Sequence, residues 1–188
     1  MTDQPSTDEP SASARAQQSA VDAALRGAVI AAIIPDQSPR VLQEAAHYAA
    51  LLGAPLAVVH VDVTRFVTYE DPDGYVHSAP VDINVQAGEG ELQVVRANAE
   101  SVLVNSPVAW EVRQLVGDPA LAIKHFADKI DAKLIVVGTR KRGFGESIRQ
   151  FFTGSVAARL SHRQHRAILV VPQGELLQDH EDFPEVEG

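Results

Sequence analysis

Two hydrophobic periods alternate along the chain. Ala28 to Ile34 (AVIAAII) and Leu134 to Val137 are short apolar runs rich in branched side chains, and Leu56 to Val63, interrupted by His60 and Asp62, is a further expected strand. Continuous runs of this kind predict strands buried on both faces. Between them, apolar residues recur with helical spacing. Val41, Leu42, Ala45, Ala49 and Leu52 form one such stripe, and Leu92, Val95, Ala99, Val102 and Leu103 another, within a helix expected over Glu89 to Val104. A third stripe is Ala122, Ile123, Phe126, Ala127 and Ile130. Ser38-Pro39 and Asp118-Pro119 have the form of an N-cap followed by a first-turn proline, and Gly53 suits a helix stop. In Val108 to Val116, Trp110 and Val112 alternate with Glu111 and Arg113, which predicts one wet face or a sheet edge. Ala167 to Val171 is the last apolar run. Strand and helix alternate throughout, so the pattern predicts an α/β fold: a doubly wound, five-stranded parallel sheet of order 3-2-1-4-5.

The flanks differ from this core. Residues 1–20 are rich in Ser, Ala, Gln, Asp and Pro and lack large aliphatic side chains beyond Met1, so residues 1–27 are expected to form a disordered extension, with room for a short helix around Val21 to Leu25. Residues 173–188 hold six acids and no Lys or Arg and are expected to be an acidic tail. The domain is therefore assigned to 28–172. The formal charge of −9 resides largely in the flanks, which leaves the core nearly neutral. The stretch from Thr64 to Ala87, with Asp71-Pro72-Asp73-Gly74 inside it, is expected to be irregular and is long for an α/β connection. No stretch has the length and apolarity of a membrane span, and the first residues lack the basic start and apolar centre of a secretory signal. With no cysteine present, a cytoplasmic location fits.

Charge is concentrated in one place. From Gly138 to Arg166 there are seven basic residues against one acid, Glu146. Gly138, Gly143, Gly145 and Gly154 lie in the loop between the fourth strand and the helix that opens at Ser155. Glycines permit close backbone approach, and a helix start offers free N–H groups to an anion. In a 3-2-1-4-5 sheet the strand order reverses between strands one and four, and ligands bind there, beyond the carboxyl ends of the strands. The loop Pro35-Asp36-Gln37-Ser38 should meet the Gly138 loop at that point. A carboxylate opposite a glycine loop suits a nucleoside on one side and phosphates on the other. A turn serving only to reverse the chain would use similar residues.

Other chemistry is weaker. His162 and His165 lie three apart near a helix end, but no third ligand accompanies them, and a helix C-terminus alone favours such residues. Asp71, Asp73 and Gly74 lack the remaining ligands of a calcium loop. Phe151-Phe152 read as packing residues. None of the common hydrolase, zinc-protease or P-loop motifs is present, and Ser155 reads best as a cap. The neutral core and acidic flanks argue against nucleic acid as a partner.

Several of these segments together resemble the universal stress protein family. They are strand one with Asp36-Gln37-Ser38-Pro39, the Gly117-Asp118-Pro119 step, Leu134 to Arg140 (LIVVGTR), Thr153-Gly154-Ser155-Val156, and Ala167 to Pro172 (AILVVP). The resemblance covers about residues 28–172 and implies a Rossmann-like fold of the adenine nucleotide alpha hydrolase type. It implies a regulatory module binding ATP or AMP, with Mg²⁺ accompanying only the nucleotide. It further implies a homodimer formed through the last strand, and at most slow ATP hydrolysis. Residue by residue, Asp36 and Val61 correspond to the adenine side. Gly138, Gly154 and Ser155 correspond to the phosphate side, and Arg140, Lys141 and Val156 are expected to surround the phosphates with them, from the loop's positive charge and the helix start. The family's loop reads Gly, two residues, Gly, nine residues, Gly, then Ser or Thr. Here the second position is Lys141, and twelve residues separate it from Gly154. The first loop usually resembles Val-Asp-Gly-Ser, where this chain has Pro35-Asp36-Gln37-Ser38. A stress-response dimer that binds no nucleotide and acts through a protein partner, and a slow nucleotide hydrolase, are the alternatives.

Overall fold

The computed structural model describes residues 12–70, 76–80, 85–139 and 156–173. Helix α1 (Ala12–Ala24) leads into β1 (Val29–Ala32), α2 (Pro39–Leu51) and β2 (Leu56–Asp62). A two-stranded antiparallel ribbon follows, β3 (Arg65–Glu70) with β4 (Val76–Pro80). Then come α3 (Val85–Leu103), β5 (Trp110–Val116), α4 (Pro119–Lys129), β6 (Leu134–Gly138), α5 (Val156–Ser161) and β7 (Ala167–Val171).

The main sheet has five parallel strands in the order β5-β2-β1-β6-β7, which is the predicted 3-2-1-4-5. Central β1 explains why its sequence is apolar throughout. Val29 and Ala31 join one core layer, with Val41, Leu42, Ala45 and Ala49 of α2 and Val95 and Ala99 of α3. Ile30, the residue between them, joins the opposite layer, with Ile123, Phe126 and Ala127 of α4 and Leu160 of α5. Successive side chains of a strand point to opposite faces, so a strand covered on both sides needs apolar residues at every position. β5 lies at an edge, as its alternation predicts. Its Glu111 and Gln114 are exposed while Val112 is buried.

Local signals act where the sequence places them. The Ser38 hydroxyl accepts from Arg40 N–H, and the Asp118 carboxylate accepts from Leu121 N–H, each with proline in the first turn that follows. Gly117 has φ 94°, a conformation open to glycine, and turns the chain from β5 into the α4 cap.

Two expectations are corrected. Residues 12–24 form a helix rather than a disordered extension, and its end is packed: Leu25 and Asp22 are buried. Asp22 receives Arg113 Nη2 of β5 at 2.7 Å and Lys129 Nζ of α4 at 3.0 Å. The Arg113 guanidinium also lies 5.9 Å from the Phe126 ring centroid. Burial pulls the Arg113 pKa below its ordinary value, and the Asp22 and Glu111 charges oppose that shift. This tertiary ion pair holds the end of a helix whose own residues bring little apolar surface. The second correction is Thr64 to Ala87. It contains the β3–β4 ribbon, and α3 begins at Val85 rather than Glu89. The Asp71 to Gly74 turn lies outside the described residues.

Candidate functional site

The registers fix where the site lies. Ala32 of β1 pairs with Val59 of β2 on one side and with Val137 of β6 on the other. Val61 and Gly138 therefore stand one or two residues further on, at the carboxyl end of the sheet, where the loop 33–38 leaves β1. Neighbouring strands diverge here, β2 and β5 to one side and β6 and β7 to the other. Such a reversal leaves a crevice between the first loop and the fourth.

The first lip is held firmly. Asn98 of α3 donates its side-chain N–H to the Pro35 carbonyl at 2.9 Å, and Gln37 accepts from Ile34 N–H at 3.0 Å. Beneath it His60 is buried, with Nδ1 3.2 Å from the Ile33 carbonyl and Nε2 3.3 Å from Glu91 of α3. Asp36 is exposed at the tip of this lip. Val61 is half-buried and packs against the core layer that holds α4 and α5. Just beyond it, Asp62 is buried, and its carboxylate accepts from Thr64 N–H at 2.8 Å and from Thr64 Oγ1–H at 2.6 Å. This turn ends β2 and starts the ribbon.

The second lip starts at Gly138 and Thr139. A side-chain carbon added to Gly138 would collide with the ends of two glutamine side chains, Gln37 from the first lip and Gln173 from beyond β7. Gln173 is more than a neighbour. Its Oε1 accepts from Ser38 N–H at 3.0 Å, and its Nε2 donates to the Thr139 carbonyl at 2.5 Å. Its own N–H donates to Thr139 Oγ1 at 2.9 Å. One carboxamide thus bridges both lips directly above a residue without a side chain.

Val156, at the start of α5, is half-buried and packs on the same core layer as Val61. An Arg159–Asp118 ion pair of 2.7 Å ties α5 to the start of α4. Burial pushes the Asp118 carboxyl up, but the hydrogen bonds from Arg159 and Leu121 N–H and the Arg159 charge outweigh it, leaving the group below the usual carboxylate range. Of the sequence-predicted residues, Asp36, Val61 and Gly138 sit at this end of the sheet, and Val156 opens the helix beneath it. Arg140, Lys141, Gly154 and Ser155 lie outside the described residues, as do Phe151 and Phe152. His162 and His165 are exposed, and no group of three metal-ligating side chains occurs among the described residues.

Sequence reasoning missed Gln173, which it assigned to the tail. One signal was available. Parallel β6 and β7 pair Gly138 with Val171, which carries the chain past Pro172 to the side of Gly138. Gln37 had a clearer sign, since it stands where the resembling family usually has glycine.

The described part of this crevice offers a carboxylate, a half-buried aliphatic residue and one position without a side chain. Two carboxamides stand over that position, and both belong to the ends of flexible side chains.

Comparison with known proteins agrees with the class that this fold defines, a doubly wound five-stranded parallel α/β module. The family model for the universal stress protein family matches residues 27–172, and the chain belongs to that family. Among solved structures, it is similar to a universal stress protein from Archaeoglobus fulgidus, at 27% identity and TM-score 0.53, over 77% of this chain and 97% of that one. A universal stress protein from Archaeoglobus fulgidus in complex with dAMP matches at 24% identity and TM-score 0.50, over 78% and 98%. A universal stress protein in complex with cAMP matches at 22% identity and TM-score 0.52, over 80% and 99%. No curated protein matches the chain.

Proposed function

We propose that the chain is a regulatory binding module that takes an adenine nucleotide, ATP or AMP, at the carboxyl end of the sheet. The observation that carries this reading is the meeting of the Asp36 loop with Gly138 at the point of strand reversal. Asp36 and Val61 serve the nucleoside end. Gly138, Val156 and the basic loop residues Arg140 and Lys141, with Gly154 and Ser155, serve the phosphates. Family members of similar fold held in complex with dAMP and cAMP support the ligand class. Mg²⁺ enters only with the nucleotide. The binding domain spans residues 28–172, with Gln173 reaching back into the site from just beyond it. The reading places the protein in the cytoplasm, which its lack of cysteine fits. Among the described residues no helix is long and apolar enough to cross a membrane.

Two copies pair through β7. It is an edge strand of the sheet, and Ile168 and Leu169 are half-buried while Val170 is 37% exposed. An apolar edge with unpaired backbone groups is a template for another strand. Binding rather than fast turnover is the reading, because fast phosphoryl transfer needs a metal-holding carboxylate beside the phosphates and the sequence carries no recognisable motif for one.

Mass spectrometry of the supernatant from denatured protein, followed by calorimetry with ATP and AMP, tests the reading. Wild type should bind one of them. Asp36→Ala should weaken binding roughly tenfold or more, as loss of a charged hydrogen-bond partner does. Gly154→Val should abolish it by blocking backbone approach. If wild type binds neither nucleotide at millimolar concentration, the alternative stands: a dimer acting through a protein partner.

A further inference from the structure

Gln173 and Gln37 occupy the space over Gly138 that a ligand must enter. The Gln173 carboxamide uses both ends, accepting from Ser38 N–H and donating to the Thr139 carbonyl. Its backbone is fixed separately, by the bond from its N–H to Thr139 Oγ1. The side chain can therefore swing away while the main chain stays in place. Gln37 is likewise tethered through its oxygen to Ile34 N–H, and its nitrogen reaches over Gly138.

We infer that these two glutamines form a polar plug and that ligand binding is an exchange reaction against it. This rests on the nucleotide reading above. When the Gln173 carboxamide leaves, it frees one donor, Ser38 N–H at the start of α2, and one acceptor, the Thr139 carbonyl. A ligand group that is both acceptor and donor, such as a sugar hydroxyl, replaces both bonds. A ligand that cannot do so leaves a polar group unpaired, which opposes binding. The plug therefore lowers affinity for every ligand and selects those that restore both bonds. No charge is stranded in the exchange, because both plug side chains are neutral. Gln37 adds bulk where the family usually has glycine, so the exchange includes it.

Calorimetry with ATP and AMP on the full-length chain tests the inference, using wild type, Gln173→Ala, Gln37→Gly and the double variant. Amide hydrogen exchange at Ser38, without ligand, gives an independent readout. Removal of the plug should tighten binding about tenfold, equivalent to the net worth of one to two hydrogen bonds no longer broken. In Gln173→Ala, the Ser38 N–H should also lose protection. Binding that appears only in the variants upholds the plug in its strongest form. Wild-type binding that is unchanged or weakened in the variants overturns the plug and leaves the nucleotide reading standing. Absence of binding in wild type and all variants overturns both. Unchanged protection of Ser38 in Gln173→Ala shows that the bridge does not form in solution and overturns the plug by itself.

Discussion

The two ends of the sheet are held by different kinds of bond. At the amino end, backbone groups and charges close the structure. Lys133 N–H donates to the Ala28 carbonyl, Gly27 N–H to Ile130, and Leu56 N–H to Ala109. Arg166 donates Nε–H to the Ala132 carbonyl at 2.8 Å and pairs with Asp128 at 2.5 Å and Asp131 at 3.6 Å. At the carboxyl end an Arg159–Asp118 ion pair ties α5 to α4, but the lips themselves are held by neutral carboxamides: Asn98 and Gln37 fix the first lip, and Gln173 bridges it to the second. On the proposed reading, the difference separates stability from binding. Opening the Arg166 bridges is costly mainly because it strips the buried Ala132 carbonyl of its side-chain donor, the exposed ion pairs adding little. A carboxamide bridge strands no charge, so a ligand of matching donors and acceptors can exchange with it at the cost of about one to two net hydrogen bonds.

The largest effect that should break this contrast is at the amino end. Arg166→Ala leaves the buried Ala132 carbonyl without its side-chain partner and removes the ion pairs. Discounted for the exposure of Asp128 and Asp131, the loss should be roughly 2 kcal/mol, seen as a fall of several degrees in Tm. Calorimetry on this variant should show nucleotide affinity unchanged. A weakened affinity would mean that the ends are coupled.

Gly138→Ala probes the other end. The new Cβ displaces the flexible ends of Gln37 and Gln173, so the fold should lose only about 1 kcal/mol in urea denaturation. The same Cβ fills the room a ligand needs, so binding should weaken. Gln173→Ala should act with the opposite sign on affinity. Tightening in both variants would contradict the account.

The smallest effect is in acid. Hydrogen bonds from Lys124 and Arg166 hold the Asp128 carboxyl below its ordinary value, despite some burial. A depressed carboxyl stabilises the fold above its unfolded pKa of about 4, and that contribution is lost as pH falls through the lower folded value. A double-mutant cycle on Asp128 and Arg166 should therefore give a coupling below about 1 kcal/mol at pH 7. Repeated near pH 3, the coupling should shrink.

Much of the fold was legible because its signals are local. β1 and β6 show unbroken apolar runs, and Ser38-Pro39 and Asp118-Pro119 announce their helices. The β3–β4 ribbon was missed although Phe66, Val67 and Tyr69 favour a strand and Asp71-Pro72-Asp73-Gly74 favours a turn. Ser78 and Pro80 blurred the alternation that would have marked a hairpin. Most of helix α1 was missed, with only a short helix around Val21 to Leu25 expected, because Asp22 is held by Arg113 and Lys129, far away in sequence. Asp36 and Gly138 could be placed from topology alone. Gln173 could not, since its role depends on β7 returning beside β6 and on two backbone groups from different loops.

Titration of ¹⁵N-labelled full-length chain with ATP, followed by amide and glutamine side-chain resonances, tests the central claim most directly. The account predicts shifts concentrated at Ser38, Gly138, Thr139 and the Gln37 and Gln173 carboxamides, with Lys133 and Arg166 unmoved. Shifts confined to the amino end, or none at millimolar ATP, would contradict it.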